Sequence, residues 1–233
     1  MMLGTLNDAS HHLHPILQRA GAVIFDMDGV LADTEPAHVQ TLRAVLAQHG
    51  VALSEAECVA LMGLTAEATW QWVMAHHTFS GTPGQLTQEY ESILLAALSG
   101  GVVAVRGALE LVTILGQEGL PLALASSSRG AVVKVVLAGL GLTDAFSTVV
   151  CGDDVRQSKP DPTIFLEAAR GLGIAAAACV VVEDSLNGMQ AGRLAGMTVV
   201  GLLSHYTVGV TLPVDLVVES LTDLIDAPDV RSS

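Results

Sequence analysis

Lysine is nearly missing from this chain: Lys134 and Lys159 are the only two among 233 residues. Basic residues number 10 against 24 acidic ones, giving a formal net charge of −14. Such a field repels nucleic acid and anionic membrane surfaces, and no Lys/Arg cluster offers a local exception, so neither is expected as a partner. Scarcity also makes each lysine harder to dismiss as generic solvation. Cysteine is sparse too. Cys58, Cys151 and Cys179 are odd in number, widely spaced and without a C-x-x-C or a histidine at ligand spacing, which argues against a disulfide framework or a zinc site. They are expected to be buried free thiols in a reducing cytosol. No apolar run approaches the length of a membrane span, and the first residues lack a basic stretch followed by an apolar core. The expectation is a soluble cytoplasmic protein, monomeric or a weak dimer. Aromatic residues make up only 3% of a chain rich in alanine and glycine, a composition suited to close packing of helices on a sheet.

What is present is an alternation of short β-rich runs and helical segments. "LPLALASSS", "FSTVVCGDD", "ACVVVEDS", "MTVVGLLSH" and "VDLVVES" are separated by helical patterns at 129–140, 162–172 and 187–195. This alternation specifies an α/β fold, a Rossmann-like parallel sheet flanked by helices and joined by right-handed crossovers. The apolar run Ala22–Phe25 must join the same sheet, because a lone buried strand has no hydrogen-bonding partner. Between them, residues 35–103 carry helical patterns and no convincing strand, with a capping box at Ser54 and Glu57. An all-helical cap domain inserted at 35–103 follows, with 20–34 and 104–233 as the core domain. Residues 1–19, including His11, His12 and His14, are expected to form a mobile extension with no assigned function.

The sequence "AVIFDMDGVLADTE" then raises a physical problem. The buried strand runs into Asp26 and Asp28, two carboxylates whose mutual repulsion and desolvation need compensation, most economically by a divalent cation with oxygen ligands. Taken alone, Asp-x-Asp-Gly fits a solvated turn equally well. The topology supplies the context. Ligands of open parallel sheets bind beyond the carboxyl ends of the strands. That places Asp26 and Asp28, then Ser126, Ser127 and Ser128, then Glu183 and Asp184 around one site. Lys159 joins them from "QSKPDPTIF", where Pro160 and Pro162 stiffen the loop and Asp161 with Pro162 opens a helix.

These four segments, "DMDGVLADTE", "LASSS", "SKPDP" and "VVVEDS", stand in the order and spacing of the haloacid dehalogenase-like superfamily, in its branch with a small helical cap after the first strand. The resemblance covers about residues 20–225. It implies Asp26 as nucleophile forming an aspartyl-phosphate, and Asp28 as general acid and then general base. It implies Mg²⁺ held by Asp26, the main-chain carbonyl of Asp28 and Asp184, with Glu183 a direct or water-mediated partner. Lys159 and Ser126 would stabilise the phosphate. Dehalogenases of the superfamily lack the second acid, so Asp28 points to phosphate chemistry on a small phosphorylated metabolite. Aligned by motif with β-phosphoglucomutases, Thr34 and His38 fall at positions facing the site, and Ser128 and Arg129 where a second phosphate is bound. Those mutases carry a lysine and an arginine where this chain has Met62 and Ala66. That departure favours a phosphohydrolase acting on phosphosugars over the alternatives, a phosphosugar mutase or a non-catalytic binding protein. Trp70 and Trp72 have opposite helical phases, so at least one belongs to the cap core.

Overall fold

The computed structural model describes residues 13–61, 66–78, 81–204 and 207–225. Six parallel strands form one sheet in the order β3-β2-β1-β4-β5-β6. They are β1 (Ala22–Phe25), β2 (Leu122–Ala125), β3 (Thr148–Val150), β4 (Cys179–Glu183), β5 (Thr198–Leu202) and β6 (Leu216–Val218). The first strand in sequence lies inside the sheet: Ile24 sits opposite Ala123 of β2 on one side and Val181 of β4 on the other. This is why its four residues are all apolar, since both faces and both edges are covered.

Side chains alternate across the sheet and build two cores. On one face Val23, Phe25, Leu124, Val180 and Val182 pack with α6 (Ala108–Gln117) and α7 (Gly130–Leu140). On the other, Ala22, Ile24, Ala123, Ala125 and Val181 pack with α8 (Thr163–Leu172) and α9 (Leu186–Leu194). Alanines on this second face let the helices approach closely, as the composition suggested. Helix α8 begins one residue later than the sequence reading placed it, with the Asp161 carboxylate accepting the Thr163 amide at 2.9 Å.

Four helices, α2 (Glu35–Gln48), α3 (Glu55–Leu61), α4 (Ala66–His76) and α5 (Pro83–Ser99), stand between β1 and α6. They have an apolar core of their own, built on Leu42, Val45, Leu46, Leu61, Trp70, Val73 and Leu86. Trp70 is core here, its indole N–H donating to Thr87 Oγ1 at 2.8 Å, while Trp72 stacks on His76 at 3.9 Å between ring centroids. The capping box at Ser54 forms, with Glu57 N donating to Ser54 Oγ and Ser54 N to Glu57 Oε2. The chain leaves the sheet and returns at adjacent points, since Asp33 N donates to Val103 O and Val105 N to Leu31 O. Helix α5 packs on both α2 and α7, so this block lies over the C-terminal edge of the sheet.

The expected extension 1–19 differs in its last part. Pro15–Gln18 forms a short helix, α1, capped by His14 and with Leu17 buried in the main core. An apolar side chain that reaches the core binds the backbone to it, which polarity alone did not reveal. His11 and His12 lie outside the described residues. Cys58, Cys151 and Cys179 are all free and buried.

Candidate active site

The C-terminal ends of β1, β2 and β4 deliver the site, as expected of an open parallel sheet. Asp26 follows β1 directly, held there by its amide donating to Val182 O at 3.0 Å. Gly29 turns the chain with φ +78°, and a Cβ there would lie 2.2 Å from Asp184 Oδ2. Only glycine lets the first acidic loop close on the last. Gly188 does the same from α9, where a Cβ would stand 1.7 Å from Glu183 Oε1.

Lys159 is the hub of the floor. Its ammonium donates to Asp26 Oδ1, to Glu183 Oε1 at 2.7 Å and to the Ala125 carbonyl at 3.1 Å, and it lies 4.8 Å from the centre of the Phe165 ring. Glu183 gives its other oxygen to the Ser185 amide at 2.7 Å and hydroxyl at 2.9 Å. Ser185 in turn caps α9 through Gly188 N. Both oxygens of Glu183 are therefore engaged, and its geometry fixes Lys159. Burial lowers the Lys159 pKa, yet Asp26 and Glu183 outweigh it and hold the ammonium above its ordinary value.

Asp26, Glu183 and Asp184 each offer an oxygen within 4.8 Å of the others. Burial raises the Asp184 carboxyl, reinforced by Glu183 and Asp26. Asp26 is raised by the same burial, opposed by Lys159. Three carboxylates around one ammonium leave negative charge unbalanced in a nearly dry place, and hard oxygen donors so spaced suit a divalent cation.

Asp28 lives differently. Burial raises its pKa, but His38, Thr34 and Ser128 together outweigh it and the carboxyl falls below its ordinary value. Thr34 donates to Oδ1 at 2.6 Å, Ser128 to Oδ2 at 2.7 Å, and His38 Nε2 stands 3.6 Å from Oδ1. Thr34 occupies the N-cap of α2 but makes no capping bond with its side chain, a hydroxyl drawn from its ordinary duty to Asp28. Ser126, fully buried, accepts from Ser128 N at 3.1 Å and points its hydroxyl at Asp28 Oδ2, 3.4 Å away.

The structure thus gathers Asp26, Asp28, Ser126, Ser128, Lys159, Glu183, Asp184, Thr34 and His38 around one point. Ser127 is exposed at the rim. Arg129, expected to bind substrate, is engaged by two carboxylates, Glu91 of α5 at 2.6 Å and Asp153 at 3.0 Å. Met62 lies outside the described residues, as does the Ala66 side chain. Three residues were missed in the sequence: Tyr90, whose hydroxyl lies 2.5 Å from His38 Nδ1, together with Glu91 and Asp153. Tyr90 and Glu91 sit in α5, a helix without a motif. "CGDD" did place Asp153 near the strand ends, where a solvated turn is the ordinary reading.

A parallel sheet with this site and a helical block after β1 defines a Rossmann-like hydrolase. The chain belongs to the haloacid dehalogenase-like hydrolases, whose family model matches residues 23–202. It is 34% identical over 190 residues to fructose-1-phosphate phosphatase YqaB of Escherichia coli, covering 78% of this chain and 96% of that one. To protein CbbY of Rhodobacter capsulatus it is 33% identical over 201 residues, 81% of this chain and 87% of that one. The crystal structure of CbbY from Rhodobacter sphaeroides with phosphate shares the fold, with a TM-score of 0.82, 24% identity and coverage of 88% and 96%.

Proposed function

We propose that the protein is a Mg²⁺-dependent phosphatase of small phosphorylated metabolites, foremost phosphosugars, acting in the cytoplasm as a monomer or weak dimer. The observation that carries this reading is the pair of unlike carboxylates. Asp26 is buried against Lys159, whereas Asp28, two residues on, is held by Thr34, Ser128 and His38. One is built to attack and the other to move protons.

The donor set fits a hard divalent cation: Asp26 and Asp184, with the Asp28 carbonyl, would hold it, and Glu183, its oxygens spent on Lys159 and Ser185, would serve indirectly. When bound, such an ion neutralises the phosphate and lets an anionic nucleophile approach it. The remaining work falls to the chain. Lys159 orients Asp26 through Oδ1 and adds positive charge to the floor. A carboxylate oxygen of Asp26 attacks phosphorus, the bond to the ester oxygen breaks, and Asp28 gives that oxygen a proton. The negative charge of a bound phosphate raises the Asp28 pKa and so supplies its acid form. Water then attacks the aspartyl-phosphate while Asp28 takes its proton, releasing inorganic phosphate and restoring Asp26. Ser126 and backbone amides at the β2 end hold phosphate oxygens. Residues 35–103 act as the cap that excludes bulk water.

The mutase alternative is not favoured, since the relative at 34% identity is named a phosphatase. A panel of phosphorylated metabolites supplied with Mg²⁺, assayed for both free phosphate and isomerised sugar, tests the reading. Free phosphate should dominate. Isomerised sugar in excess of phosphate would promote the mutase, and no turnover of any ester would leave only a binding protein.

A further inference from the structure

Arg129 and Gly130 stand beside the site, one and two residues past Ser128, whose hydroxyl contacts Asp28. A guanidinium next to the first amide of an eleven-residue helix is a strong attraction for an anion at the far end of a substrate. Here both are already taken. Asp153 accepts from Arg129 Nε through Oδ1 at 3.0 Å and from Gly130 N through Oδ2 at 2.8 Å. Glu91 accepts from Arg129 Nη1 at 2.6 Å. The Gly130 bond holds Asp153 below its ordinary pKa, with Arg129 adding to it. One cation between two carboxylates leaves the mouth net negative.

We propose that Glu91 and Asp153 act as a selectivity filter that turns away a second phosphate, confining the enzyme to monophosphates with an uncharged distal end. This rests on the phosphatase reading and names its substrate class. Arg129 is 59% exposed in its side chain, so its ion pairs add little to stability. Their effect is on choice. A distal phosphate dianion would have to take Arg129 from both carboxylates and then sit beside them, a like-charge arrangement that rejects one ligand without improving another. The filter spans both parts of the molecule, since Glu91 lies on α5 of the cap and Asp153 in the core. It is complete only with the cap in the position seen here. A substrate ending in hydroxyls leaves it intact.

Fructose 1-phosphate and fructose 1,6-bisphosphate differ only by the second phosphate and are the probes. With Mg²⁺ present, kcat/KM of the wild type for the bisphosphate should fall at least about tenfold below that for the monophosphate. Raising the salt should narrow the gap, because the repulsion is screened at an exposed mouth. In the double variant Glu91→Gln/Asp153→Asn, whose amide oxygens still accept hydrogen bonds, the ratio of bisphosphate to monophosphate should rise by about tenfold. Glu91→Gln alone removes one half-buried charge and keeps a side chain of the same shape, and should move the ratio in the same direction by a smaller factor if the double variant does not fold. A wild type equally active on both sugars, or a folded variant with an unchanged ratio, overturns the filter and leaves the phosphatase standing. Failure of the wild type to release phosphate from any monoester, p-nitrophenyl phosphate included, overturns both.

Discussion

The floor of the site and its roof are built on opposite principles. On the floor, Lys159, Asp26 and Glu183 are buried, mutually bonded and braced by strands on either side. At the roof, His38, Tyr90 and Glu91 project from α2 and α5, half-buried, and reach the core through hydrogen bonds and ion pairs between side chains. The floor spends desolvation to fix charges that a reaction at phosphorus needs. The roof keeps its charges near water, where they are weak for stability but can sort substrates and open. On the proposed reading, chemistry and choice are thereby separated in one chain.

Damage to the floor should be the most severe. Asp26→Asn preserves shape and removes the proposed nucleophile, so phosphate release should fall by about 10⁴-fold or more with the unfolding midpoint little changed. Residual activity within about tenfold of wild type would remove Asp26 from that role. Lys159→Met should cost about 10²–10³-fold in kcat. It should also destabilise the metal-free protein by about 3–5 kcal/mol, since the Glu183 carboxylate is left buried without its cation. Enzyme assay and denaturant unfolding together check both parts. A stable, active variant would mean that Lys159 is not the hub.

A roof substitution should be milder. Tyr90→Phe deletes the hydroxyl 2.5 Å from His38 Nδ1, a bond worth about 0.5–1.5 kcal/mol, and should lower kcat/KM severalfold through a less constrained His38. A loss as large as that of Lys159→Met would contradict the division between floor and roof.

The smallest effect is on stability against pH. Burial pushes the metal-free Asp26 carboxyl from 3.8 up to about 8. The folded state then holds that proton more tightly than the unfolded chain, so the stabilisation is complete below the ordinary value and lost as pH rises through about 8. Asp28, lowered instead, contributes above its ordinary value and loses that contribution in acid. Added Mg²⁺ should therefore raise the melting temperature more at pH 8 than at pH 5. Thermal scans with Mg²⁺ and with chelator measure this, and an equal shift at both pH values would count against the carboxylate cluster as the ion's site.

The same division explains what the sequence could reveal. Asp26, Ser126 and Glu183 stand at the ends of apolar β runs, so a local pattern announces them and the topology brings them together. Lys159 was legible because lysine is almost absent elsewhere. Tyr90 meets His38 across 52 residues, through the packing of α5 on α2, and no local period encodes that meeting. Asp153 looked like a turn acid, and its role at Gly130 and Arg129 exists only once β3 lies beside β2. Leu17 was hidden for a related reason: with Leu13, Ile16 and Ala20 it lies in a stretch too short to show a repeating pattern, and it meets the core only when the rest has folded.

Trapping the covalent intermediate distinguishes Asp26 from Asp28 as the group that attacks phosphorus. Wild-type enzyme turning over fructose 1-phosphate with Mg²⁺ is quenched in acid, reduced with borohydride and digested for mass spectrometry. Borohydride converts an acyl phosphate, but not a free carboxylate, to the alcohol, so homoserine is expected at position 26 and none at position 28. Unreduced Asp26 in samples quenched during active phosphate release, or reduction at Asp28 instead, would contradict it.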